Sequence, residues 1–123
     1  MNKALDYFGQ ILMEKVRDQT ITEWDRTFNG EMKGITAQKV RKALSGLNAE
    51  QIEVIRWLIP KIVDLSLHNL LWTLEQDESI NVTVKTDSEK VSSIRDVSDG
   101  LAGELYTEEG WIMRFSKQRY EEL

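Results

Sequence analysis

The chain of 123 residues has no cysteine, a single histidine and a single proline. Without cysteine there is no thiol nucleophile, no cysteine-ligated zinc or iron–sulfur cluster, and no disulfide framework. With His68 as the only imidazole, any metal centre or acid–base pair that needs one is confined to a single neighbourhood. The G-x-S-x-G elbow of serine hydrolases is also missing. Gly100-Leu101-Ala102-Gly103 is a close glycine pair, but Asp99 and Glu104 flank it and repel a phosphate, so these glycines read as turn formers. Asp96, Asp99 and Gly100 miss the calcium-loop spacing, because Gly100 as the sixth position puts Arg95 first and Val97 third.

Long apolar runs are scarce too. The greasiest stretch, Val54 to Leu74, is interrupted by Arg56, Pro60, Lys61, Asp64 and His68, so it reads as a core helix and not as a membrane span. Asp6 arrives before an apolar run can develop after Met1, so no signal peptide is expected and a cytoplasmic location follows.

Apolar residues at 41% and charged residues at 30% describe a globular chain. Its length fits one domain that can bury a core without metal or disulfide staples. The net charge of −5 argues against a nucleic-acid partner. Trp111 and Phe115 are spaced like stacking aromatics of an RNA-binding sheet, but Glu108 and Glu109 adjoin them, and core packing is the better account.

Helical periodicity dominates the first two-thirds. Leu5, Phe8, Ile11, Leu12, Met13 and Val16 recur at three- and four-residue spacing between Asn2 and Asp18, with Lys3, Asp6, Gln10, Glu14 and Arg17 opposite, which predicts an amphipathic helix. Thr20 with Glu23 forms a capping-box pattern for a second, short helix that carries Trp24 and Phe28 and stops at Asn29-Gly30. Thr36 is placed to cap a third, ending near Ser45-Gly46. Asn48, with Gln51 at the reciprocal position, opens the longest helix, which runs to about Gln76.

On that helix Ile52, Ile55, Ile59, Ile62, Val63, Leu70 and Leu74 centre one face, with Leu58 and Leu65 widening it, while Glu50, Glu53, Lys61, Asp64, His68 and Glu75 gather opposite. An apolar arc wider than half the circumference needs more than one partner, so the helix is expected at the centre of the domain. Pro60 removes the donor that would serve the Arg56 carbonyl, which predicts one bent helix, with a break into two as the alternative.

After Asp77-Glu78 the period falls to two. Ile80, Val82 and Val84 read as a strand, Asp87-Ser88-Glu89 as a turn, and Val91 to Ile94 as a weaker returning strand. Leu105 to Thr107 and Trp111 to Ser116 read as a second hairpin, residues 96–104 are ambiguous, and Lys117 to Leu123 reads as a charged end, either frayed or a short helix. The expected fold is α+β: one domain over 1–123, with about four helices in 2–78 around a long, central, proline-kinked helix, then an antiparallel sheet of three to four strands in 79–116.

Few residues carry a chemical argument. Asp64, His68 and Glu75 project to one side of the long helix and are the only metal-ligand candidates, but a solvated Asp64–His68 pair on the polar arc is the stronger account, and no metal is expected. Trp57 falls among the charges, where an indole is out of place and calls for a cover, from the same chain or from another protein. Arg56 needs a carboxylate or a route to solvent. Together with Ser66, Asn69 and Thr73 it is a candidate lining for a ligand cavity; bonds from the short side chains to helix carbonyls are the plainer account. No catalytic residue and no cofactor are expected. The favoured reading is a small acidic interaction module whose partner is another protein or a second copy of itself, a homo-oligomer. The alternative is a small-ligand-binding protein or enzyme with its cavity between the kinked helix and the sheet.

Overall fold

Asn2 starts the first helix, its Oδ1 accepting the Leu5 amide at 3.0 Å, in a computed structural model that describes residues 2–121. Helix α1 (Lys3–Ile11) passes without interruption into a π-helical segment (Leu12–Asp18) and then α2 (Gln19–Phe28), with right-handed helical backbone at both junctions. The expected boundary at Thr20 is therefore absent: a capping residue needs extended backbone, and nothing between Val16 and Thr20 breaks the helix. Asp18 is engaged elsewhere, accepting the Ser116 hydroxyl at 2.5 Å and the Lys117 amide at 2.8 Å.

The wider π turn also changes which residues face inward. Arg17, expected on the wet side, is completely buried, while its neighbour Val16 is exposed. An i→i+5 turn advances each residue by a smaller angle than an α turn, and several of them in succession shift the phase of the helix.

Helix α3 (Ile35–Leu44) begins one residue before the predicted cap, with Gly34 in the extended N-cap conformation. Helix α4 (Ala49–Gln76) opens on the predicted capping box, with Asn48 and Gln51 exchanging two 2.9 Å hydrogen bonds. It runs through Pro60 as one helix of 28 residues. At its far end the Arg95 guanidinium donates to the carbonyls of Leu74, at 2.7 Å, Asp77, at 2.8 Å, and Ile80, and to Asn81 Oδ1, at 2.5 Å. A cation thus closes the negative end of the helix dipole.

The sheet is smaller than expected. Strands β1 (Val84–Lys85) and β2 (Lys90–Val91) pair antiparallel, Val84 opposite Val91 and Lys85 opposite Lys90, around the predicted turn, where the Thr86 amide donates to the Glu89 carbonyl at 2.8 Å. The Ile80 carbonyl accepts from Arg95 instead of from a neighbouring strand, and the Asn81 side-chain Oδ1 accepts from the same guanidinium. Ile94 opens a 3₁₀ turn (Ile94–Val97), and a second one (Ala102–Leu105) occupies the stretch whose conformation was ambiguous.

The second hairpin does not form. Trp111–Phe115 is a single helical turn, α5, in which the consecutive Trp111 and Ile112 are both buried and Met113 is exposed. Alternation over five residues cannot separate a strand from one helical turn. The architecture is α+β, mostly helical, with a two-stranded sheet and not three or four strands.

Trp111 anchors α5 against α1. Its indole lies so close over Gly9 that a Cβ there would stand 2.3 Å from the ring, and Phe8 meets it edge-on. Met13, Ile21, Leu71, Ile94, Leu101 and Leu105 complete the centre of the core. Helix α4 supplies Ile59, Val63, Leu67 and Leu71, spaced at four residues, from one side only. It lies at the edge of the core and not at its centre.

Candidate interaction surface

The charged side of α4 is turned toward the rest of the chain. Asp64 accepts two bonds from the buried Arg17, at 2.6 Å from Nε and 3.1 Å from Nη2. Arg56 reaches Asn29 Oδ1 at 2.7 Å and Asp25 at 3.8 Å, and stacks on the Phe28 ring. Lys61 pairs with Glu121 at 3.7 Å, and Glu75 Oε1 accepts the Leu101 amide at 2.5 Å. Lys61, Asp64 and Glu75, expected to be solvated, hold the tertiary structure instead; Glu50 and Glu53 are exposed as expected, and Arg56 has in Asp25 the carboxylate it called for.

His68 follows the same rule. Its Nδ1 lies 2.9 Å from the Tyr106 hydroxyl, and the expected Asp64–His68 pair is not made, each residue having another partner. Burial raises the Tyr106 hydroxyl above the ordinary phenol value, with the Asp64 charge and then Tyr120 acting in the same direction. Asp64, His68 and Glu75 thus serve three different partners along the helix. No group of three or more His, Asp or Glu residues that could hold a metal ion occurs among the described residues.

Part of this side is roofed by residues 116–121. Arg17 Nη1 donates to Ser116 Oγ at 2.7 Å and Nη2 to the Arg119 carbonyl at 2.9 Å, while Arg119 forms a bidentate pair with Asp25 at 2.7 and 3.1 Å. Glu121 accepts the Trp57 indole N–H at 2.6 Å, and Lys61 Nζ sits 4.7 Å above the ring. Trp57 therefore receives cover from its own chain, and half of it is still exposed. The segment expected as a charged end is an irregular strap with a bend at Gln118, and Glu122 and Leu123 lie outside the described residues. Beneath it, Arg56, Trp57, Pro60, Asp64 and Tyr120 line an open cleft of about 470 Å³.

The opposite side of α4 faces solvent and is apolar. Val54, Leu58, Ile62, Leu65 and Trp72 form a stripe in which Ile62 and Leu65 are each 60% exposed and Trp72 52%. Gln51, Ser66, Asn69, Thr73 and Gln76 complete this arc, and it holds no charged residue. The Ser66 hydroxyl donates to the Ile62 carbonyl at 2.9 Å and that of Thr73 to the Asn69 carbonyl at 2.8 Å, so their polar groups turn back onto the helix. Of the four candidate cavity residues, Ser66, Asn69 and Thr73 share this exposed face, and Arg56 lies on the other side with Asn29 and Asp25. Beside Ile62 the stripe meets an apolar groove of about 250 Å³ lined by Trp24, Phe28, Ile55, Ile59 and Val63.

Sequence reasoning placed Ile62, Leu58 and Leu65 in the core and did not single out Val54 or Trp72. The signal was present in the excess width of the apolar arc, which one chain of this size does not cover, and in the absence of charge from Gln51 to Gln76 along one side.

No family model matches the chain, and neither a curated protein nor a solved structure matches it. No helix among the described residues is long and apolar enough to cross a membrane.

Proposed function

We propose that this chain is a non-enzymatic protein-interaction module and that the outer face of α4 is its docking surface. One observation carries the reading: an uncharged apolar stripe stands open along the longest helix of a chain that is 30% charged. Contiguous exposed apolar surface of this kind marks sites of association. The groove at Trp24 and Phe28 extends it, and tryptophan at each end of the surface is the residue type that most often anchors an interface.

The partner is a protein surface of matching apolar character. The acidity of the chain does not set this contact, because its charges lie off the stripe.

A photo-crosslinking side chain placed at Ser66, inside the stripe, and at Lys39, on α3, tests the reading in cells. Protein adducts from position 66 and none from position 39 support it. A chain that gives no adduct at position 66 is not using this face.

A further inference from the structure

The stripe has a symmetry that selects its occupant. Reading from the middle of α4 outward, Ile62 and Leu65 flank a midpoint, Leu58 and Asn69 lie one turn further out, and Val54 with Thr73 and Ile55 with Trp72 lie about one turn beyond those. An isologous contact requires a patch that complements itself when rotated about its own centre. A second copy laid antiparallel along the first satisfies this: Ile62 and Leu65 of both copies meet at the dyad, Leu58 lies beside Asn69 of the second copy, Val54 lies beside its Thr73, and Trp72 covers its Ile55.

We infer that the outer face of α4 is the interface of a homodimer in which two α4 helices pack antiparallel about a dyad between Ile62 and Leu65. The inference rests on the reading of that face as a docking surface and commits it to one partner, a second copy of this chain.

Area and charge agree with this. At the exposures observed, the five apolar side chains present on the order of 500 Å² per copy, so a pair removes on the order of 1,000 Å² from water before the polar rim is counted, the threshold for a specific interface. A shallow crossing, near 20°, keeps the whole stripe in contact, whereas a steep one engages only its middle. An antiparallel pair built on a charged face would meet like charges or need complementary ones; here no charged residue lies on the arc from Gln51 to Gln76 to impose either condition. Wide exposure of Ile62 and Leu65 also means that polar substitutions there leave the fold of one copy intact.

Sedimentation equilibrium of the full chain over a concentration series reads the association directly. The unsubstituted chain is expected at twice its 14.3 kDa mass, with no loosening as salt is raised. Leu65→Glu and, separately, Ile62→Lys place two buried charges at the dyad and raise the dissociation constant at least about a hundredfold, with unchanged circular dichroism. Because the chain has no cysteine, single-cysteine variants report the register without background. A short bis-maleimide joins Ile62→Cys to itself, and joins Val54→Cys to Thr73→Cys only when the two variants are mixed.

A monomeric mass at every concentration overturns the dimer. So does a dimer indifferent to Leu65→Glu and Ile62→Lys, and self-crosslinking of Val54→Cys overturns the antiparallel register. The photo-crosslinking experiment separates this inference from the one beneath it. If the purified chain is monomeric while position 66 captures a protein in cells, the dimer fails and the docking surface stands; if position 66 captures nothing, both fail.

Discussion

Arg119 donates a hydrogen bond to the Arg56 carbonyl at 3.0 Å, and that is the carbonyl Pro60 leaves without its helical donor. A guanidinium from the far end of the chain therefore replaces the missing backbone bond and lets α4 pass through proline as one helix. The same side chain grips Asp25, tying α2, α4 and the strap together. Arg119→Ala should cost about 1–3 kcal/mol, the range for leaving a carbonyl unsatisfied and losing a charge-assisted pair. In a Pro60→Ala background the helix serves its own carbonyl, so the same substitution should cost less. Urea denaturation of the four proteins in a double-mutant cycle measures the coupling; strictly additive costs would separate Arg119 from the proline.

Arg17 and Asp64 form the other long-range tie. Arg17 is wholly buried, and its remaining donors hold Ser116 Oγ and the carbonyls of Gln118 and Arg119. Removing one member of a buried pair strands the other, so Arg17→Met should destabilise by about 3–5 kcal/mol. Arg17→Met with Asp64→Leu should recover a substantial part of that loss, since neither charge is then left without the other. Chemical denaturation gives the energies, and amide exchange at Lys117 should quicken in both variants as the strap loosens.

How far the sequence could be read depended on whether local signals met tertiary competition. The Asn48–Gln51 capping box survived because both partners lie within four residues of local chain, and the turn at Asp87 because Thr86 and Glu89 close it with their own hydrogen bonds. The side of α4 facing the core was legible only in part: Ile59 and Val63 are buried as the pattern predicts, but Leu67 and Leu71 beside them were not on the expected face. Charges usually point to water, but here Arg56, Lys61, Asp64 and Glu75 each find a partner elsewhere in the chain, so the amphipathic pattern assigned Ile62 and Leu65 to the core when they lie outside it. Arg17 was misread for a second reason: a π segment changes helical phase, and no residue pattern between Leu12 and Asp18 announces it. Val16 is exposed and Arg17 buried as a result of that shift, and Asp64, Ser116 and the strap carbonyls hold Arg17 there.

Thr107 holds φ at 73°, in the left-handed region that a β-branched residue resists. Its carbonyl accepts the Gly110 amide at 3.1 Å, closing the turn that leads into α5, and Gly110 itself has no room for a Cβ, which would stand 2.0 Å from the Tyr106 carbonyl oxygen. Thr107 is exposed, so replacing it sacrifices no core packing. Thr107→Gly should therefore stabilise the protein by about 1 kcal/mol, the relief of left-handed strain less the entropy glycine adds to the unfolded chain. Gly110→Ala, three residues on, should destabilise by more than that. A rise in Tm for the first and a fall for the second would locate the strain; a fall for both would mean that the Thr107 side chain contributes a contact worth more than its strain.

Glu104 lies in a cleft of about 410 Å³ with Asp6, Asp99 and Arg114. Burial raises its carboxyl above the ordinary value of 4.5; Arg114 opposes the shift, and Asp99 and Asp6 add to it. A carboxyl whose folded value exceeds its unfolded one favours folding while protonated, and that contribution is fully present below the unfolded value and lost as pH rises through the folded one. Near neutrality the wild type therefore carries a penalty at this position that Glu104→Gln lacks. The variant should melt slightly higher than wild type at pH 7, with the gap closing as pH falls below about 4. Asp77 acts in the opposite sense, its value lowered first by the Ser79 hydroxyl and then by the Ser79 amide, so it withdraws stability as pH falls. Both proteins carry Asp77, so it cancels from their difference in Tm, which isolates Glu104 across the titration. A difference that stays constant from pH 3 to pH 7 would show that substituting the side chain, and not ionising it, sets the change.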